Sequence, residues 1–238
     1  MNYSLSPLGD QAIVITVSDE INEQAQVNVR ILSLLLEEQQ PEWMVEYIPA
    51  FTTVTVFYRP DLLSRKGMIP YEQAKENVEE LLTLIKTEEV SAVRTVEIPV
   101  CYGGDFGPDL EFVADHNGIT PEEVIDIHQS GNYSVYMIGF APGFPFIGGM
   151  SEKIAAPRRD SPRLEIPERT VGIAGKQTGV YPIETPGGWQ LIGRTPKRLF
   201  TPEEEVPSLL RAGDKIIFKQ ISETEYDNWE EPRHDEDH

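Results

Sequence analysis

The spacing of apolar residues in the first ninety positions predicts a β-α-β-β-α order. Residues 11–17 alternate as in a strand, and 18–20 supply a polar cap and an acidic first turn for a helix. Two β-rich runs at 45–48 and 53–58 come next, before a second amphipathic helix over 70–85. The apolar face of the first helix comprises Ile21, Ala25, Val29, Leu32, Leu35 and Leu36. This order predicts a small α+β domain with both helices on one face of a sheet.

The pattern changes to short, turn-separated segments beyond residue 92. A strand at 93–100 is followed by a helix over 109–116, and Thr120 and Pro121 then open a second helix that runs to about Gln129. A strand at 133–138 precedes five further short strand candidates, at 164–166, 171–174, 180–183, 190–193 and 215–221. Many short strands between turns predict a barrel or a sandwich.

These patterns divide the chain into three parts. We predict an N-terminal α+β domain over 1–91, a β-rich domain over 92–222 and an acidic tail over 223–238, with the boundary in the polar stretch 88–91. The tail carries eight acidic residues and one arginine. It is either a solvated, frayed solubility segment or an acidic segment that docks to a partner, and Tyr226 and Trp229 could pack back onto the body.

Composition restricts the function classes. The net charge of −20 disfavours nucleic acid, whose phosphates most of the surface would repel. The chain contains no apolar run of membrane-spanning length, and its first residues lack the features of a signal peptide, so we expect a cytoplasmic protein without membrane association. The single cysteine, Cys101, follows a strand candidate and is expected to be a buried structural thiol.

Residues 139–199 differ from the rest of the chain in both backbone and charge. They hold ten of the 18 glycines and eight of the 19 prolines, which indicates specified turns. Nine cations face five anions in this stretch, so it is positive within an acidic protein. We therefore expect an anion site here.

The segment from Gly188 to Thr195 has the spacing of a phosphate-binding loop but not its chemistry. Arg194 stands where the loop has lysine, the interior is typical of a strand, and Pro196 follows where a helix should begin. We reject the phosphate loop. Gly188 could still let a ligand approach, and Arg194 could bind a carboxylate or phosphate or instead pair with a neighbouring acid.

Three arginines lie among prolines in the run Ala156 to Arg163. A rigid loop loses less entropy when it binds an anion, so Arg158 and Arg163, each beside a proline, are the better candidates. Arg159 neighbours Asp160 and is equally consistent with an ordinary solvated loop.

His128 lies near the end of its helix and has two interpretations. It either interacts with the helix dipole or transfers protons while facing the next loop. No pair of His or Cys residues has the spacing of a metal site, so we expect no protein-bound metal. The apolar side chains Phe140, Phe144, Phe146 and Ile147 stand on Gly/Pro turns and predict barrel core, an aromatic pocket or a protein interface.

Four motifs in order resemble one family. They are Y-x-V-Y-M-x-G-F-x-P-G-F-P-F from Tyr133, APRR-x-x-P-R from Ala156, V-G-I-A-G-x-Q-T-G-x-Y-P from Val171 and PGGW-x-L-I-G-R-T-P from Pro186. Together they are similar to the B subunit of 5-oxoprolinase, the sporulation kinase inhibitor KipI and allophanate hydrolase subunit 1. The resemblance is dense over 93–221 and weaker before it.

The resemblance implies a fold and a set of partners. It implies an α+β protein in which a cyclophilin-like β-barrel follows a small N-terminal α/β sandwich domain. It also implies ATP-dependent opening of 5-oxoproline to L-glutamate together with the A and C subunits of the enzyme, with ATP and Mg²⁺ bound through a partner and no activity of this chain alone. The alternative that it implies is binding to a sporulation histidine kinase and inhibition of its autophosphorylation, and both functions could coexist.

The resemblance also carries over site residues. The expected catalytic residues are His128, Arg158 and Arg194, and the expected partner-binding residues are Phe140 and Phe146. The expected substrate-binding residues are Tyr133, Phe144, Arg163, Gln177, Tyr181, Gly188, Trp189 and Thr195. We expect a groove framed by Phe144, Arg158, Gln177, Trp189 and Arg194 that a partner subunit completes.

Overall fold

The computed structural model describes residues 2–63, 67–85 and 94–230. The chain divides into two compact units, Met1–Val93 and Arg94–His238. The predicted boundary at 88–91 lies outside the described residues, as do residues 231–238 of the predicted tail.

The first unit is a four-stranded antiparallel sheet with two helices. Its elements are β1 (Ser4–Leu8), β2 (Ala12–Thr16), α1 (Glu23–Gln39), β3 (Met44–Pro49), β4 (Thr53–Tyr58), a 3₁₀ turn (Pro60–Leu62) and α2 (Pro70–Leu82). The strand order is β1-β2-β4-β3, and the helices pack on this sheet. The predicted α+β domain is therefore present, with the additional strand β1.

The first helix begins later than its apolar spacing predicts. Asn22, rather than Ser18, caps α1 by accepting a hydrogen bond from the Ala25 amide at 2.8 Å. Ile21 thus precedes the helix and is 56% exposed, whereas the other predicted face residues are buried. Ser18 instead accepts from the Glu20 amide in a local turn, which competes with helix formation.

The second unit is built on a closed seven-stranded barrel. The barrel strands are β5 (Thr95–Tyr102), β6 (Tyr133–Ile138), β7 (Pro145–Gly148), β9 (Thr170–Ala174), β10 (Gln177–Val180), β12 (Gln190–Arg194) and β13 (Lys215–Gln220). They close in the order β10-β7-β6-β13-β5-β12-β9, and β13 and β5 pair in parallel. Of the two folds that the sequence predicts for this domain, a barrel or a sandwich, the barrel is confirmed.

Two helices contribute to the barrel core. Helix α3 (Leu110–Asn117) supplies Val113 and Ala114, and α4 (Pro121–Gln129) supplies Val124 and Ile125. Gly118 ends α3 in the left-handed conformation, with φ of 68°, as the Asn-Gly pair predicts.

A two-stranded arm and a short helix complete this unit. Strand β8 (Arg163–Ile166) pairs with β11 (Thr185–Gly187) outside the barrel. Helix α5 (Glu223–Asp227) is capped at its N-terminus by Ser222. The ring centroid of Tyr226 lies 4.7 Å from that of Phe106. Residues 223–227 of the predicted tail are thus helical, with a capping box at Ser222 and a ring contact of Tyr226, and none of them is buried. No helix in the described ranges is long and apolar enough to cross a membrane.

Candidate functional site

His128 lies inside the barrel and faces no loop. The capping box of Thr120 and Glu123 fixes the start of α4, and Val124, Ile125 and His128 then share its buried face. The His128 side chain is fully buried, with the Phe218 ring centroid 4.5 Å away. The expectation that His128 transfers protons toward the next loop stays a prediction, and in the structure the barrel encloses the ring.

Hydrogen bonds assign one tautomer to His128. The Thr178 hydroxyl donates to the Gly172 carbonyl at 3.1 Å, so it accepts from His128 Nε2–H at 2.9 Å. His128 Nδ1 then accepts from the Tyr102 hydroxyl at 2.8 Å. Burial lowers the pKa of His128 to about 3, which keeps the ring neutral.

Tyr133 belongs to the same interior network. Its hydroxyl donates to the His128 carbonyl at 2.8 Å, and burial raises its pKa. The structure thus places Tyr133, a predicted substrate-binding residue, in the barrel core. Cys101 is buried as expected, and burial raises the pKa of its thiol.

The loop 157–163, here called the arginine loop, is fixed to a buried carboxylate at the start of α3. Asp109 Oδ1 accepts from Arg159 Nη1 at 3.1 Å and from Arg163 Nη2 at 2.8 Å. Asp109 Oδ2 accepts from the Leu191 amide at 2.7 Å. Arg159 therefore pairs with a distant buried acid and not with the adjacent Asp160, so the solvated-loop interpretation of Arg159 is wrong.

Backbone contacts add to the rigidity of the arginine loop. The Arg159 amide donates to the Gly188 carbonyl at 2.8 Å, and Gln190 Nε2 donates to the Pro157 carbonyl at 2.9 Å. Arg158, between them, is exposed, and no carboxylate pairs with it in the described ranges. The arginine loop thus presents the guanidinium group of Arg158 from a fixed backbone.

Beside this loop lies a group of rings, the aromatic cluster, which comprises Phe140, Phe144, Phe146, Tyr181 and Trp189. The Phe144 centroid lies 5.6 Å from that of Tyr181 and 5.8 Å from that of Trp189, both edge-to-face. Burial raises the pKa of Tyr181 to about 12, while the positive charges of Arg158 and Arg163 act in the opposite direction. Both arginines therefore interact electrostatically with the Tyr181 hydroxyl.

The members of the aromatic cluster differ sharply in exposure. Phe144 is 2% exposed and Trp189 is buried, so these two residues form no open groove wall. Phe140 is 71% exposed on a backbone with φ of 70°, in a turn that the bond from the Gly139 amide to the Phe144 carbonyl closes. Two of the five residues expected to frame a groove, Phe144 and Trp189, are therefore packed in the aromatic cluster, and Phe140 projects from it.

Arg194, Thr195 and Gln177 are not part of this constellation. Arg194 Nε donates to the Glu168 carbonyl at 3.0 Å. Arg194 also lies four strand positions from Gln190, the β12 residue that is bonded to the arginine loop, which is roughly 13 Å at ~3.3 Å per residue. Thr195 is fully buried and accepts from the Lys197 amide at 3.2 Å. Gln177 is half-buried at the start of β10, where it pairs with Ala174.

The structure therefore brings together Arg158, Arg163, Tyr181, Gly188, Trp189 and Phe144 from the predicted site residues. Sequence reasoning missed Asp109, which lies 50 and 54 residues before its two arginine partners. Its position immediately before a predicted helix resembles an ordinary helix cap. Three arginines in a loop with one acid were the available signal that another acid was needed.

The described residues do not fit a site for ATP with Mg²⁺. Gly188–Thr195 lies mostly in the buried strand β12, and Pro196 prevents a helix from following. The described residues also hold no group of three or more His, Cys, Asp or Glu side chains that could hold a metal ion. A depression of about 360 Å³ lies beside α5, lined in part by Glu97, Lys219 and Trp229, and contains none of the predicted site residues.

Similarity to known proteins agrees with this architecture. Residues 3–210 match the family of the carboxyltransferase domain, subdomains C and D. The chain is 54% identical over 237 residues to the B subunit of 5-oxoprolinase from Bacillus subtilis, with 97% of this chain and 98% of that protein covered.

Solved structures extend the comparison to the fold. A conserved uncharacterized protein of Pyrococcus horikoshii is 44% identical, with a TM-score of 0.55 and coverage of 94% of this chain and 100% of that one. The urea amidolyase of K. lactis has a TM-score of 0.71 at 19% identity over 94% of this chain and 15% of that one, which supports the fold alone. The chain belongs to the carboxyltransferase subdomain C and D family and, within it, to the group of 5-oxoprolinase B subunits that its motifs resemble.

Proposed function

We propose that this chain is the B subunit of an ATP-dependent 5-oxoprolinase, which acts with the A and C subunits to open 5-oxoproline to L-glutamate. The observation that carries the proposal is the exposed Arg158 on a fixed loop, in a chain similar over its length to a 5-oxoprolinase B subunit. The substrate is a five-membered lactam with a carboxylate, so its recognition needs one cation and a small apolar surface.

Arg158 binds the substrate carboxylate in this proposal. A guanidinium group matches a carboxylate with two parallel hydrogen bonds, and Arg158 has no competing acid among the described residues. Because the arginine loop is already fixed, binding loses little conformational entropy. Gly188 lies beside the loop, where an added Cβ would be in ordinary van der Waals contact with Pro162 at 3.6 Å.

His128 and the interior residues serve the fold in this proposal. With a pKa of about 3, the enclosed imidazole is neutral near pH 7 and carries no imidazolium proton for general-acid catalysis. Its bonds to Thr178 and Tyr102 join β10 to β5 across the barrel. Arg194, Gln177 and Thr195 remain predicted site residues, and none of them has a contact to the arginine loop among the described hydrogen bonds.

A partner subunit completes the site. The aromatic cluster is packed and Phe140 projects outward, so the substrate's second face is left for another protein to cover. ATP and Mg²⁺ are assigned to a partner because the described residues of this chain do not fit them. ATP supplies the phosphoryl group that activates the lactam carbonyl, which amide resonance otherwise protects. The isolated chain is therefore expected to be inactive.

Inhibition of a histidine kinase is the second candidate function, and the exposure of Phe140 favours it. A projecting aromatic side chain at a rigid turn is a suitable anchor for an amphipathic kinase helix. Calorimetry with a sporulation histidine kinase is expected to show binding that Phe140→Ala weakens at least tenfold. Absence of binding by the wild-type chain removes this function.

Reconstitution tests the enzyme function. The three purified subunits, mixed with 5-oxoproline, ATP and Mg²⁺, are expected to form glutamate and ADP, whereas any mixture lacking one subunit does not. An assembly that contains all three folded subunits and forms no glutamate would refute the proposal.

A further inference from the structure

We infer that Asp109 is a positioning residue for substrate binding: its buried carboxylate fixes the arginine loop, so that Arg158 faces the substrate in one orientation. The expected effect on KM rests on the proposed function. The fixing of the arginine loop by Asp109 can be tested without that function. Neither sequence motifs nor the residues carried over by resemblance include Asp109.

The charge at this carboxylate is unbalanced. Two guanidinium groups share one oxygen of Asp109, which leaves the group of three residues with one net positive charge. Asp109 is 5% exposed, whereas the side chains of Arg159 and Arg163 are 37% and 23% exposed, so water screens these interactions in part. The positive charge that remains adds to that of Arg158, and both favour an anion at this surface.

The two guanidinium groups have few other partners. Arg159 Nε and Arg163 Nη1 are buried without a hydrogen bond. Because these two nitrogens are buried, a ligand does not reach them. The hydrogen bonds to Asp109 are therefore what keeps the two guanidinium groups in their buried positions. Without that acceptor the guanidinium groups would turn toward water and carry the loop backbone with them.

Asp109 is itself rigidly held. Its amide donates to the Leu191 carbonyl at 2.8 Å and its Oδ2 accepts from the Leu191 amide, so the residue is bonded to β12 from both sides. Gly107 permits this close approach, because an added Cβ would lie 2.1 Å from Ile192 backbone atoms. The barrel wall thus sets the position of the carboxylate, and the carboxylate sets that of the loop.

The chain offers a matched control in Asp214. This residue is also buried, accepts from Arg94 Nε at 3.0 Å, and accepts from the Arg211 amide at 2.7 Å. It has no contact with the arginine loop among the described hydrogen bonds. Asp109→Asn and Asp214→Asn therefore remove equivalent charges, one under the candidate site and one elsewhere.

The first measurement is hydrogen exchange of the isolated chain, which does not depend on activity. Asp109→Asn is expected to speed exchange of the Arg159 amide, which donates to Gly188, at least tenfold, while Asp214→Asn leaves it within twofold of wild type. Unchanged protection of the loop in folded Asp109→Asn overturns the inference. If Asp109→Asn does not fold, Arg159→Gln removes one of the two guanidinium bonds and is expected to give a smaller increase.

The second measurement is the steady-state kinetics of the three-subunit assembly. Asp109→Asn is expected to raise KM for 5-oxoproline at least tenfold with kcat within threefold, and Asp214→Asn to leave KM within twofold. An unchanged KM in an active assembly overturns the kinetic consequence while the proposed function stands. A wild-type assembly without activity refutes the proposed function instead. The hydrogen-exchange data alone then decide whether Asp109 fixes the arginine loop.

Discussion

His128 is a titratable residue in a fully buried environment. Its ring is fully buried between two hydroxyl groups, and both nitrogens have partners in the neutral form. Protonation would place a hydrogen on Nδ1, which already accepts a hydrogen bond from the Tyr102 hydroxyl, so two donors would face each other. The low pKa follows from the cost of placing a charge in the barrel core.

This environment predicts a pH-dependent stability. The folded pKa of about 3 lies below the unfolded value near 6.5, so between these values only the unfolded chain is protonated at this residue. Stability is therefore lost as the pH falls from about 6.5 toward 3. From pH 7.5 to 5.0 we expect His128 to lower the free energy of unfolding by about 2 kcal/mol.

Urea denaturation of wild type and His128→Gln at both pH values measures this contribution. The glutamine keeps a donor and an acceptor but does not titrate. Between pH 7.5 and 5.0, the free energy of unfolding of His128→Gln should therefore fall by about 2 kcal/mol less than that of wild type. Equal losses in the two proteins would show that His128 is exposed or already charged in the fold.

Single residues also show where sequence reasoning ends. Arg158 and Arg163 could be selected from charge and neighbouring prolines, because those are local properties. Asp109 and the burial of Phe144 could not, since each depends on residues that the barrel brings together from distant parts of the chain. The burial of His128 could not be predicted either, because its helical position does not reveal that the barrel closes over it.

At the scale of elements, periodicity predicted most helices and strands. The capping box of α4 and the left-handed end of α3 are encoded in adjacent residues and were predictable. Strands β1, β7 and β11 were missed because each contains a proline, at Pro7, Pro145 and Pro186, and strand formation there comes from pairing with a neighbour. The choice of barrel over sandwich likewise depends on long-range closure.

The arm formed by β8 and β11 allows a test with two adjacent glycines. A Cβ at Gly187 would lie 2.5 Å from the Tyr181 hydroxyl oxygen and 2.8 Å from Ile166 Cδ1. A Cβ at Gly188 would meet nothing closer than 3.6 Å. We expect Gly187→Ala to destabilise the protein by about 1–3 kcal/mol through overpacking, and Gly188→Ala by about 0.5 kcal/mol or less.

Calorimetry of the two variants distinguishes them. For a protein of this size, Gly187→Ala should lower Tm by roughly 3–10 °C and Gly188→Ala by about 2 °C or less. Equal Tm values for Gly187→Ala and wild type would mean that the arm does not pack on Tyr181 as described.

The whole molecule combines an acidic composition with exposed positive charge on the arginine loop. The net charge is −20, yet Arg158 stands exposed on a loop that two further arginines and Asp109 hold in place. Such a surface attracts a small anion more than a nucleic acid, which the rest of the molecule would repel. The carboxylate of 5-oxoproline has the chemistry that this surface fits.

The role of Arg158 is the central claim, and the KM for 5-oxoproline of the three-subunit assembly tests it most directly. The control is Arg211→Ala, an exposed arginine whose described hydrogen bond is made by its backbone. We expect Arg158→Ala to raise KM about 10- to 100-fold, the loss of a charge-assisted hydrogen bond worth about 1.5–3 kcal/mol, and to leave Tm unchanged. Arg211→Ala should match wild type in both respects. A KM for folded Arg158→Ala equal to that of wild type would contradict the claim.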